Sequence, residues 1–74
     1  GLAPKQKQLL QAIARDRIVE GITSSDFVKR HRMVSASSVQ AALKSLLKND
    51  IVTCEEGIYR IYDYFFADYL AKKY

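Results

Sequence analysis

The sequence predicts a small, mostly helical α+β domain: three helices, then a β-hairpin, then a short C-terminal helix. Three observations carry this. Apolar residues recur at helical spacing in the N-terminal half. Two short β-prone runs flank Glu56-Gly57, a pair suited to a tight hairpin turn. An aromatic-rich segment with helical spacing follows the second run.

The first helix is expected from Pro4 to Arg15. Pro4 suits the first helical position, where a missing N–H costs nothing. Leu9, Leu10, Ile13 and Ala14 supply its inner face. Ile18 to Ile22, broken by Gly21, reads as a linker with a short extended piece. Thr23 is the expected cap of a second helix, Ser24 to His31, with Asp26 reciprocating three residues on. That helix should bury Phe27 and Val28.

Ser35 should cap a third helix from Ala36 to Lys48. Its inner stripe is Val39, Ala42, Leu43, Leu46 and Leu47, a period near 3.6. Asn49 is expected in the left-handed C-terminal position. In the hairpin, Ile51 to Glu55 pairs with Ile58 to Tyr62, which sets Val52 opposite Ile61 and Cys54 opposite Tyr59. All four are expected to face the core, with Thr53 and Arg60 on the other side. Tyr64 to Lys73 reads as the last helix, with Phe65 and Phe66 closing the core. Helices in a helix-turn-helix spacing followed by a hairpin make the winged-helix arrangement. A plain three-helix bundle would leave Ile51 to Tyr62 without a role.

The 74 residues suit one domain, 1–74. An apolar share of 49% with 27% charged residues is that of a globular protein. No apolar run approaches the ~20 residues of a membrane span, so no membrane partner is expected. The start GLAPKQKQ is too polar for a signal peptide. Cys54 is the one cysteine and cannot form an internal disulfide, which points to a reducing, cytoplasmic setting. One cysteine and one histidine fall short of the usual metal-ligand set, so no metal is expected. The net charge of +4 mildly favours an anionic partner.

Four segments carry a family likeness: APKQKQLLQAIA at 3–14, TSSDFVKRH at 23–31, SASSVQAALKSLLKNDIV at 35–52 and GIYRIYDYFFADYL at 57–70. The run Tyr59-Arg60-Ile61-Tyr62-Asp63 followed by Phe65-Phe66 is the most specific part. On these residues the chain resembles the C-terminal winged-helix domain of archaeal-type predicted ATPases, chains with an AAA+/STAND-like nucleotide-binding domain. In that family a proline commonly follows the Asp of the fourth segment; Tyr64 stands there in this chain. The resemblance implies an excised C-terminal piece of a larger ATPase. It implies as partner the N-terminal ATPase domain of the parent chain, or another protein.

The engine itself is not in the sequence. The glycines are Gly1, Gly21 and Gly57, so the phosphate-cradling GxxxxGK[ST] loop is absent. No cofactor and no catalytic residue is expected, because no His–acid pair stands at readable spacing from Ser35, Ser37 or Ser38. His31 reads as a helix-end residue and Cys54 as a small core hydrophobe.

Two candidate surfaces remain. The first is for double-stranded DNA, bound weakly. Ser37, Ser38, Gln40, Lys44 and Lys48 point away from the apolar stripe of the third helix, and Lys29, Arg30 and Arg32 form a basic group beside it. Lysine and arginine meet phosphate, and glutamine can pair with adenine. The bland alternative is a solvated, solubilising face. Glu55 and Glu56 at the hairpin tip would repel a phosphate backbone. The second surface is a domain interface at Tyr62, Tyr64, Tyr69 and Tyr74, aromatics beyond what a small core needs.

Overall fold

A computed structural model of the protein describes residues 2–73. The element order is α1 (Pro4–Asp16), α2 (Ser25–Arg30), α3 (Ala36–Lys48), β1 (Val52–Glu55), β2 (Ile58–Ile61) and α4 (Tyr64–Lys73). This is a mostly helical winged helix, as the residue pattern predicts.

Pro4 opens α1, and the Gln6 side chain accepts from the Ala3 N–H at 2.9 Å, satisfying a donor the helix leaves open. Leu9, Leu10, Ala12, Ile13 and Ala14 are buried along one face. After the helix, Val19 exchanges backbone hydrogen bonds with Tyr59, both at 2.9 Å. The extended piece between the first two helices is thereby tied to the outer edge of the hairpin.

The start of α2 differs from expectation. Ser24, not Thr23, is the cap, its Oγ accepting from the Phe27 N–H at 3.1 Å. Asp26 does not reciprocate; it pairs with Arg30 one turn along. The helix is short because the chain must turn at once into α3. Arg32 takes a positive φ of 55° in that turn. The Gln8 amide from α1 fastens it by donating to the Arg32 carbonyl at 3.1 Å.

Ser35 caps α3 by accepting from the Ser38 N–H at 3.1 Å. Val39, Ala42, Leu43 and Leu46 are buried, while Leu47 is only partly covered at the edge of the stripe. The left-handed residue after the helix is Asp50, φ 57°, rather than Asn49, φ −94°. Asn49 instead turns its amide back to the Ser45 carbonyl at 3.0 Å.

The hairpin has the expected register, Val52 opposite Ile61 and Cys54 opposite Tyr59. Glu56 and Gly57 both have positive φ, 52° and 78°, the backbone of a tight primed turn. The inward alternation holds only at the base. Val52 and Ile61 are buried and Tyr59 is partly so, but Cys54 is exposed, because the tip of the hairpin runs past the helices that would cover it.

Asp63 Oδ1 accepts from the Phe66 N–H at 3.1 Å at the start of α4. That helix lies on α1 and is clipped to the end of α1 by Arg17 on Asp68, 3.1 Å. Its inner face is Ala67, Leu70 and Ala71, not Phe65 and Phe66. Small residues let the two helices approach, which leaves no room for two phenylalanines between them. Among the described residues no polar side chain is buried, and no helix is long and apolar enough to cross a membrane.

Candidate interaction surfaces

The helix-3 surface begins with the phase of α3. Burying Val39, Ala42, Leu43 and Leu46 forces Ser37, Gln40, Lys44 and Lys48 outward, and all four are exposed. Ser38 is half-buried toward the N-terminal end of α1, where it lies in a shallow depression with Lys5 and Gln6. It leaves the solvent stripe. What remains presents two amines, one amide and one hydroxyl, a set able to meet phosphate but thin for reading bases.

The basic group beside it is smaller than the residue count suggests. Lys29 and Arg32 are exposed. Arg30 is engaged by acids on both sides: its Nη2 and Nη1 meet the Asp16 carboxylate at 2.9 and 3.1 Å, and its Nε meets Asp26 at 3.2 Å. A guanidinium fork matched to a carboxylate in this way is oriented as well as neutralised. Nothing in local spacing reveals Asp16, which stands 14 positions earlier.

His31 completes the same network. Its Nε2 lies 3.1 Å from Asp16 Oδ1, and its ring packs on Phe27 with centroids 4.7 Å apart. The histidine therefore joins α1 to α2. Burial alone would raise the Asp16 pKa. The hydrogen bonds from Arg30 and His31 outweigh it and hold the carboxyl below its ordinary value of 3.8.

This shift fixes the sign of one pH effect. Between the folded value and 3.8 the unfolded chain binds more protons, so stability rises with pH. The contribution is full above the unfolded value and is lost as pH falls through the folded one. Asp68, lowered by its hydrogen bonds to Lys72 and then Arg17, acts in the same direction from a more exposed position. Urea melts from about pH 5 to about pH 2 should show a loss of stability that is shallower in Asp16→Asn. An identical slope in the variant would deny the network this role.

The second surface is aromatic. With Ala67 and Ala71 turned inward, the 100° step of a helix carries Phe65 to the opposite side, while Tyr69 flanks the α1–α4 junction with Leu10 and Leu70. Tyr62 is 76% exposed, Phe65 85%, Tyr69 55% and Phe66 37%. Four of the six exposed large hydrophobic residues among those described thus fall within eight positions of one another. Tyr74 lies outside the described residues, as does the side chain of Tyr64.

The comparison with known families agrees with this architecture. Residues 1–72 match the family described as "Probable winged helix domain". The chain belongs to that family. No curated protein and no solved structure matches it. Winged-helix domains are interaction modules that contact DNA or protein, and they are generally non-catalytic. Among the described residues no group of His, Cys, Asp and Glu is placed to hold a metal ion. This winged helix exposes two distinctive surfaces, the polar stripe of α3 and the aromatic face of α4.

Proposed function

We infer that this winged helix is a protein-docking module whose contact face is the exposed aromatic side of α4. The observation that carries the reading is the exposed set Tyr62, Phe65 and Tyr69, on and just before a helix whose inner face is Ala67, Leu70 and Ala71. Exposed large apolar residues gathered on one short segment mark interaction sites, and aromatics are enriched there. Following the resemblance, the partner is the nucleotide-binding domain of an AAA+/STAND-like ATPase, with this chain as its C-terminal piece and a cytoplasmic setting that suits its single free cysteine. In that role the domain carries out no chemistry; it positions the engine or links it to another protein.

A second reading, weak binding of double-stranded DNA, is favoured by the exposed line of Gln40, Lys44 and Lys48 with Lys29 and Arg32 nearby. Three features weigh against it as the main function. Arg30 is already neutralised. The hairpin tip presents Glu55 and Glu56. Few side chains on α3 can read a base edge.

Fluorescence anisotropy with two unrelated labelled duplexes across a salt series separates the readings. The expected result is binding at or weaker than the usual non-specific range, ~10⁻⁴–10⁻⁶ M at physiological salt, alike for both duplexes. Lys44→Ala with Lys48→Ala should flatten the log K against log salt slope by up to about 0.9 per lost contact. Glu55→Gln with Glu56→Gln should strengthen binding if the hairpin nears the backbone. Nanomolar affinity for one duplex, lost on changing Gln40, would overturn the protein-docking reading.

A further inference from the structure

The aromatic face is continuous with a groove between α1 and α4, about 210 Å³, formed by Leu10, Gln11, Phe66, Tyr69 and Leu70. On the other side of Gln11 lies a second cleft of about 290 Å³, between α1 and the α2–α3 turn, where Gln11 meets Arg15, Arg30, His31 and Arg32. One residue, Gln11, lines both. The two depressions therefore adjoin at Gln11, and the pair, one member apolar and the other cationic, is termed the trough.

The charge of the cationic half can be assigned residue by residue. Arg30 is offset by Asp16 and Asp26. Asp16 is in turn occupied by Arg30 and His31. No acid lines either depression. No ion pair among the described residues engages Arg15 or Arg32. The cleft thus holds two uncompensated guanidinium groups. Gln8 fixes the backbone that carries Arg32 through bonds to the carbonyls of His31 and Arg32. A guanidinium on a fastened turn loses less freedom on binding an anion than one on a loose loop.

We propose that this trough binds an acidic linear peptide of the partner, with one bulky apolar side chain in the α1–α4 groove and a carboxylate between Arg15 and Arg32. The proposal deepens the protein-docking reading and rests on it. Each depression is small for a whole ligand, at or below the ~300 Å³ where ordinary ligand pockets begin. Each is adequate for one side chain. Both open on α1 within about a helix diameter, ~10 Å. An extended peptide covers that distance in about three residues at ~3.3 Å each. The expected motif is therefore an apolar anchor with an acid about three positions away. Lys7, on the wall of the apolar half, adds positive charge at the far end.

The test is a phage-displayed library of random dodecapeptides panned on the immobilised protein and on variants that melt like it. On the unaltered protein, the enriched peptides should carry an apolar residue with Asp or Glu about three positions away. Their affinity should fall about tenfold for each arginine neutralised, as charge-assisted bonds are lost. Arg15→Glu with Arg32→Glu should replace those acids by Lys or Arg in the enriched set. Arg15→Gln with Arg32→Gln should abolish the charge preference and keep the anchor, which serves if the reversed pair does not fold. Phe66→Ser should remove the apolar anchor. Peptides that depend on Phe66 but show no acid preference would overturn the acidic half and leave the docking face standing. Enrichment indifferent to all these variants, or none at all, would overturn the proposal, while the docking face is tested separately by Phe65→Ser with Tyr62→Ser. Competition of labelled duplex DNA for Arg15 and Arg32 with no peptide enriched would make the cleft a phosphate contact instead, and would overturn the proposal.

Discussion

Phe27→Ala is expected to remove a large share of the domain's stability and to lower its unfolding midpoint sharply. Phe27 is among the largest fully buried side chains, on a helix of only six residues. A helix that short has no stability of its own in water and is held by what it buries. The ring also supports His31, whose imidazole reaches Asp16 on α1. Truncation removes the apolar anchor of α2 and the wall of the α1–α2 junction together. Phe→Ala in a core costs ~3–5 kcal/mol. A domain of this size holds roughly 4–11 kcal/mol at ~0.05–0.15 kcal/mol per residue. Leu46→Ala, in an equally enclosed position on α3, should cost ~2–5 kcal/mol. Urea or thermal melts measure both. A Phe27→Ala protein with a wild-type midpoint would contradict the packing of α2 described above.

How much of this was legible in the residues follows from what each signal encodes. Helix 3 was readable to its ends because Ser35 caps it and five apolar residues hold one phase. The hairpin register was readable because Glu56-Gly57 permits only a tight turn there. Cys54 was misplaced because alternation tells which face a residue shares, not how far along the strand the covering layer extends. Phe65 and Phe66 were misplaced because residue size says nothing of helix phase. The phase of α4 is set by the small residues that allow α1 to come close, and that choice turns the phenylalanines outward. The polar stripe of α3 could be found from periodicity alone. The loss of Arg30 from the basic group could not, since Asp16 reaches it through the tertiary fold. The same holds for the arginine cleft, whose walls come from α1 and the α2–α3 turn.

The second large effect is expected on binding, with stability unchanged. Phe65→Ser with Tyr62→Ser removes two rings that stand mostly in solvent. Surface substitutions away from packed contacts stay within about ±0.5 kcal/mol. Docking should respond quite differently. Buried aromatics are the residues whose truncation costs an interface at least ~2 kcal/mol, about thirtyfold in affinity each. A double serine variant that melts like the unaltered protein yet fails to associate with its partner domain separates contact from folding. A variant that still associates with full affinity would place the interface elsewhere.

The aromatic face can be interrogated where the protein works. A photo-cross-linking amino acid placed at Phe65, and in a second strain at Lys44, compares the two surfaces in cells producing the protein from its natural gene. Adducts to polypeptide are expected from position Phe65, mapped by mass spectrometry to one discrete protein surface and abolished by Tyr62→Ser, with no DNA adduct from Lys44. Cross-links to DNA from Lys44, with none to protein from Phe65, would contradict the protein-docking reading and make helix 3 the working face.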